Sequence, residues 1–155
     1  MARIAVVLFN LGGPDRPQSI KPFLFNLFND AAIISVPQPI RWCLAQFISW
    51  RRARLAGEIY AQLGGRSPLL EQTEAQADAL QIELNDLGAV KVFVCMRYWH
   101  PMSQEIVKSV IHFAPDRIVL MPLYPQYSST TSGSSLLDWA RVSEKANLIV
   151  STSAV

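Results

Sequence analysis

The stretch "VKVFVCMRYWHPMSQEIVKSVIHFAPDRIVLMP", residues 90–122, decides the fold. It opens on an apolar, β-branched run, Val90 to Met96, of the kind buried on both faces of a sheet. Ser103 then starts a segment in which Ile106, Val107, Val110 and Ile111 recur at helical spacing, predicting a helix with those four side chains inward. A second apolar run, Arg117 to Met121, follows. Two strands joined through a helix pair in parallel by a right-handed crossover, so this unit predicts an α/β layered domain with a parallel sheet.

The same grammar extends outward. Ile4 to Phe9 reads as a buried first strand. Ser67 suits a helix N-cap, Pro68 a first helical position and Gly88 a C-terminal stop. Between them Leu70, Thr73, Ala77, Leu80, Leu84 and Leu87 predict one buried face. "SSLLDWARVSEKA" (134–146) predicts another helix and "LIVST" (148–152) a fourth strand. Residues 17–60 are less regular. Here "IRWCLAQFISWRRARLAGEIY" (40–60) predicts a helix with an inward stripe at Ile40, Leu44, Phe47 and Ile48 and a basic end.

Composition narrows the class. The 155 residues fit one domain with a real core; half are hydrophobic and 17% are charged. A net charge of +2 does not favour nucleic acid. Cys43 and Cys95 form no CxxC pair and fit a reducing, cytoplasmic setting. No run is long enough to span a membrane, and "ARIAVVLFNLGGP" reads as a strand and turn, not a signal peptide.

In an open parallel sheet, ligands bind beyond the carboxyl ends of the strands. The three strand ends read "NLGGP" (10–14), "MRYWHP" (96–101) and "PLYPQYSSTTSGSS" (122–135). The Gly pair lets a flat ligand approach the backbone, although it is not a GxGxxG fingerprint. Arg97 offers a planar fork for a carboxylate, and Tyr98 a flat face and a hydroxyl. Ser134 and Ser135 open a helix whose first amides favour anions. Arg51, Arg52 and Arg54 are either a solvated helix face or a carboxylate clamp, with Tyr60 on a similar face of the same helix. His100 is a candidate general base or a structural hydrogen bonder, and His112 an exposed helix residue. A wide apolar cleft edged by Arg, Tyr and Ser suits a large flat ligand bearing carboxylates, such as a tetrapyrrole. A phosphate ester would also satisfy the helix start.

Four ordered motifs, "VLFNLGGPDRPQSIKPFLFNLFND" (7–30), "GGRSPLL" (64–70), "MRYWHP" and "LYPQYSSTTSGSS", resemble the N-terminal half of the ferrochelatase family. That family inserts ferrous iron into protoporphyrin in the last step of haem synthesis. The resemblance implies one of two similar Rossmann-like halves, here residues 1–155, with the porphyrin cleft between the halves. It implies Leu11 against the macrocycle, and Arg52, Tyr60 and Ser67 touching the porphyrin or its propionates. Arg97 and Tyr98 would lie at the inner cleft, Tyr124 and Ser135 on its wall, and residues 23–36 at its lip.

The resemblance implies Fe²⁺ and protoporphyrin IX as substrates and no cofactor. Ser129 stands where some relatives have a cysteine ligand to an iron–sulfur cluster. The family's catalytic His and its partner Glu belong to the second half. This chain is therefore expected to hold no catalytic residue or metal ligand of its own, to partner that missing half, and to be inactive alone. "FLFNLF", Trp42, Trp50 and the nearby arginines are candidates for peripheral contact with the inner membrane, or else for a packed lip. Two rivals stay open: a nucleotide- or phosphate-binding Rossmann-like protein, and a non-catalytic tetrapyrrole-binding module.

Overall fold

The computed structural model describes residues 2–155. In chain order the elements are β1 (Arg3–Asn10), α1 (Ile20–Phe28), α2 (Gln38–Gln62), α3 (Leu69–Leu84), β2 (Ala89–Met96), α4 (Ser103–Phe113), β3 (Arg117–Pro122), α5 (Ser134–Lys145) and β4 (Ser151–Ala154). The backbone forms two compact units. A sheet unit takes the residues up to Leu11 and then Glu71–Val155; a helical unit takes Gly12–Leu70.

In the sheet unit the strands lie in the order β2-β1-β3-β4. Every pairing is parallel, with Asn10 opposite Met96 and Phe9 opposite Pro122. Alternation sorts the apolar runs onto two faces. Ala5, Val7, Phe9, Phe93, Cys95, Ile118 and Leu120 pack on Ile106, Val107 and Val110 of α4 and Trp139 of α5. Val6 and Leu8, with Val92, Val94, Val119 and Met121, pack on Ala77, Leu80 and Leu84 of α3. Each fully buried Val, Leu, Ile or Phe among these contributes about 1.5–3 kcal/mol before entropy is counted. The Phe9 and Trp139 rings meet edge to face at 5.7 Å, which joins the central strand to α5.

The open edge of β2 is covered by a side chain. Gln81 of α3 accepts a hydrogen bond from the Val92 N–H at 2.9 Å and donates to the Val90 carbonyl at 3.0 Å. Its amide thus stands in for a neighbouring strand and blunts an edge that would otherwise recruit one.

Four sequence expectations are corrected in the two units. Leu87 is 68% exposed, because the chain tightens into a 3₁₀ turn over Asn85–Leu87 and rotates it off the α3 face. Ile111 is 42% exposed, since α4 presents only the narrower stripe Ile106, Val107, Val110. The fourth strand starts at Ser151, not Leu148. Its ladder begins where Ser151 meets Arg117, the first residue of β3, so Leu148 and Val150 approach the core before any pairing partner exists.

The fourth correction concerns α2 in the helical unit. Ile40, Leu44 and Phe47 are exposed, and the buried residues are Ala45 and Ser49. Small side chains let α1 lie close, and Gly57 brings the backbone near Ile20 Cδ1. Against this face α1 buries Ile20, Phe23 and Leu24. Arg41 ties the intervening loop, donating from Nε to the Asn29 carbonyl at 3.0 Å and from Nη1 to the Val36 carbonyl at 2.7 Å.

Candidate functional site

At the carboxyl rim of the sheet unit the strand ends are laced together. The Arg97 N–H donates to the Asn10 carbonyl at 2.9 Å, Tyr98 N–H to the Leu11 carbonyl at 3.0 Å, and Leu123 N–H to the Phe9 carbonyl at 2.8 Å. The Asn10 side chain extends the lacing. Its Oδ1 accepts the Leu11 N–H at 2.9 Å, and its Nδ2 donates to Thr73 Oγ1 of α3 at 3.1 Å. Leu11, Arg97, Tyr98, Tyr124 and Ser135 therefore do meet at one rim. Parallel pairing ends all three strands at one level, and the register carries over into the loops.

The rim is more closed than its composition suggests. Tyr98 is fully buried, with the Arg97 guanidinium 4.9 Å from its ring centroid, so that face is covered. Ser135 is buried and shares a hydrogen bond of 3.0 Å with the Tyr124 hydroxyl. Burial pushes the Tyr124 phenol above its ordinary range. The nearby Cys95 thiol adds to this, while the Ser135 hydrogen bond and the Arg97 charge oppose it.

The expected anion site at the start of α5 is corrected outright. A π-helical turn over Ser129–Gly133 runs straight into the helix, and the Ser134 N–H is bonded to the Thr131 carbonyl. Ser134 Oγ accepts a 2.8 Å hydrogen bond from Arg97 Nε. One turn on, the buried Asp138 lies 3.8 Å from Arg97 Nη1 and 2.8 Å from Arg141 Nη2. With its amide already bonded within the chain, Ser134 does not open a free helix start for a phosphate. The Ser134/Asp138 pair escaped the sequence reading, although its i, i+4 spacing places both on one helix face. Ser129 is exposed in that turn.

In the helical unit, Tyr60, Ser67 and Gly13 come together. The Ser67 N–H donates to the Pro14 carbonyl at 2.8 Å, and its Oγ accepts the Leu69 N–H at 3.3 Å, as a cap should. A Cβ on Gly13 would lie 2.4 Å from Ser67 Cβ and 3.9 Å from the Tyr60 hydroxyl. Burial raises the Tyr60 phenol, which therefore stays a neutral donor. Farther up α2, Arg51 and Arg52 edge an open hollow of about 520 Å³ walled by Phe28, Ile33, Ile34, Phe47, Ile48 and Leu55. Arg52 is exposed and stands 5.5 Å over the Phe28 ring. An apolar wall with a guanidinium fork at its margin suits a flat apolar ligand carrying carboxylates.

Neither histidine lies among these groups. His100 Nδ1 pairs with Glu105 Oε2 at 2.7 Å, and that carboxylate also accepts the Met102 N–H at 2.8 Å, capping α4. For Glu105, burial acts upward, but the Met102 and His100 hydrogen bonds and the charges of His100 and Lys108 hold it below the ordinary carboxylate range. His112 is exposed near the end of α4.

A parallel, helix-flanked sheet with its distinctive side chains gathered at the strands' carboxyl ends defines an α/β protein of Rossmann-like class. A ferrochelatase family profile matches residues 3–155. The chain is 57% identical over 143 residues to a ferrochelatase of Phenylobacterium zucineum, covering 90% of this chain and 41% of that protein. It is 50% identical over 154 residues to one from Pelagibacter ubique, covering 97% of this chain and 45% of the relative. It is also 49% identical over 153 residues to one from Wolbachia sp. subsp. Drosophila simulans, covering 97% of this chain and 49% of the relative. This chain belongs to the ferrochelatase family, and it spans about half the length of the curated relatives it matches.

Proposed function

We propose that the whole protein inserts Fe²⁺ into protoporphyrin IX, as a lyase of haem biosynthesis, and that these 155 residues form an N-terminal half supplying one wall of the porphyrin site. The observation that carries this reading is the family match across residues 3–155. The apolar hollow edged by Arg51 and Arg52 supports it physically. In this reading Arg52 takes a propionate through its planar fork, while the Tyr60 and Ser67 hydroxyls hydrogen-bond the same end of the ligand. In the sheet unit the residues proposed to contact porphyrin are Leu11, Arg97 and Tyr124; Tyr98 and Ser135 are buried there, Ser135 on the Tyr124 hydroxyl and Tyr98 under the Arg97 guanidinium. Holding the macrocycle out of plane turns its nitrogen lone pairs outward, which favours the metal-entry transition state over the flat substrate.

The base that takes the two pyrrole protons comes, in this proposal, from sequence outside these residues. His100 is engaged with Glu105 and helps cap α4, which is a structural employment. No cofactor is invoked, and Ser129 offers no thiolate to a cluster. The nucleotide-binding alternative loses its support because the Ser134 amide is already bonded.

Titration of the chain with protoporphyrin IX, followed by absorbance, should show saturable binding. Arg52→Leu should weaken it by roughly 1–3 kcal/mol, the scale of a charge-assisted hydrogen bond. Anaerobic mixing with Fe²⁺ should give haem at the protein-free rate. Absent binding, or thermal protection by nucleotides alone, would defeat the porphyrin reading. Insertion well above background and lost in His100→Ala would make His100 the base.

A further inference from the structure

The geometry points to Ser134 and Asp138 as positioning residues that fix Arg97 at the sheet rim. The inference rests on the porphyrin reading above and deepens it. Arg97 follows directly on β2, and its backbone is pinned by the bond to the Asn10 carbonyl. The side chain is then held on three sides. Nε donates to Ser134 Oγ at 2.8 Å, Nη1 faces Asp138 Oδ2 at 3.8 Å, and the Tyr98 ring lies 4.9 Å from the guanidinium carbon. The Arg97 side chain is 14% exposed and that of Asp138 11% exposed, so water screens the pair weakly.

Asp138 is itself oriented from outside. Its other oxygen, Oδ1, accepts a 2.8 Å hydrogen bond from Arg141 Nη2, leaving Oδ2 directed toward Arg97. Since Ser134 and Asp138 are one turn apart on α5, a single helix face presents a hydroxyl and a carboxylate to one guanidinium. Two consequences follow. An arginine ordinarily loses much rotamer freedom on meeting a ligand, and here that ordering precedes binding. Asp138 also offsets the arginine's charge, so Arg97 acts by direction more than by net attraction.

The test has two arms on the 155-residue chain. In NMR, the Arg97 Nε–H should exchange slowly with water. Ser134→Ala and Asp138→Asn should each speed that exchange, Ser134→Ala by roughly tenfold, the equilibrium worth of one hydrogen bond. Unchanged exchange in both variants overturns the clamp. In protoporphyrin titrations, Asp138→Asn should weaken binding in the native background and have no further effect when Arg97 is already Leu. Equal losses in both backgrounds would make Asp138 merely structural and overturn its positioning role. Both substitutions preserve or reduce volume, and thermal midpoints check that the variants fold. If the unsubstituted chain binds no porphyrin, the porphyrin reading and the ligand-positioning role fall together, while the exchange arm still decides the clamp.

Discussion

Gly13 has no room for a methyl group. A Cβ there would lie 2.4 Å from both Ser67 Cβ and Oγ, and Cβ is not a flexible tip that can swing aside. Gly13→Ala should cost roughly 1–3 kcal/mol through overpacking and displace the Ser67 hydroxyl. Urea denaturation and the porphyrin titration measure the two effects separately. Cys95 makes a prediction about pH. Burial, chiefly, pushes its thiol up to about 12 from 9.0; Asp138 and Glu105 add to the rise, while the Ser103 hydrogen bond and the Arg97 charge oppose it. The unfolded thiol ionises near its ordinary value while the folded one stays neutral. Its contribution is therefore complete below pH 9 and is lost as pH climbs from there through 12. The loss is roughly 4 kcal/mol at its limit. Stability measured from pH 8 to 10 should fall in the native chain and stay nearly level in Cys95→Ala; parallel curves would refute the assignment. Tyr60 and Tyr124, also raised, add a later decline above pH 10 in both proteins.

Among the elements, α4 ends on strain. Ala114 adopts φ 51° and ψ 63°, the left-handed conformation that closes a helix, and its N–H bonds the Val110 and Ile111 carbonyls. A Cβ is disfavoured there by about 1–2 kcal/mol, and glycine is the usual occupant. Ala114→Gly should therefore raise stability by about 0.5–1 kcal/mol, the gain being trimmed by glycine's freedom when unfolded. A lowered denaturation midpoint would show that the side chain contributes packing that outweighs the strain. Element boundaries show what local pattern can carry. Gly88 terminates the α3 segment at φ 110°, as its type suggested. α5 begins at Ser134, as its composition suggested; the π turn before it, which takes up the Ser134 amide, has no distinctive composition in a hydroxyl-rich loop.

For the whole molecule, the unusual property is apolar surface. Trp42, Phe47, Trp50, Leu55 and Ile59 of α2 are all exposed, beside the cations Arg51, Arg52 and Arg54. No helix among the described residues is long and apolar enough to cross a membrane. Exposed aromatic and aliphatic side chains interspersed with arginines suit an anionic lipid surface, and we propose a peripheral contact of this kind. Flotation with anionic vesicles should carry the chain upward at low salt and release part of it as salt rises. Protein that stays at the bottom at low salt would end the proposal. Double replacement of Phe47 and Trp50 by Ser should weaken flotation without altering the sheet unit's thiol chemistry. Cys95 should stay shielded and Cys43 reactive, because one is buried and the other exposed.

The strand–helix alternation, the parallel sheet and the meeting of "NLG", "RY" and "LY" at one rim were legible in the residues. They depend on periodicity and on strand ends, which are local properties that parallel pairing merely adds together. Side-chain direction was not legible. The bulky stripe of α2 looked inward by hydrophobicity, yet Ala45 and Ser49 hold that place because close helix contact selects small volume. Tyr98 looked like an open platform and is enclosed beneath Arg97. The Arg97 clamp needed residues 37 and 41 positions away, brought near only by the crossover through α4 and β3. Sequence alone thus determined the family, the layered class and the level of the candidate rim. Tertiary structure decided which of its groups are open and which are already engaged, because burial and hydrogen bonding are set by distant neighbours that no local pattern encodes.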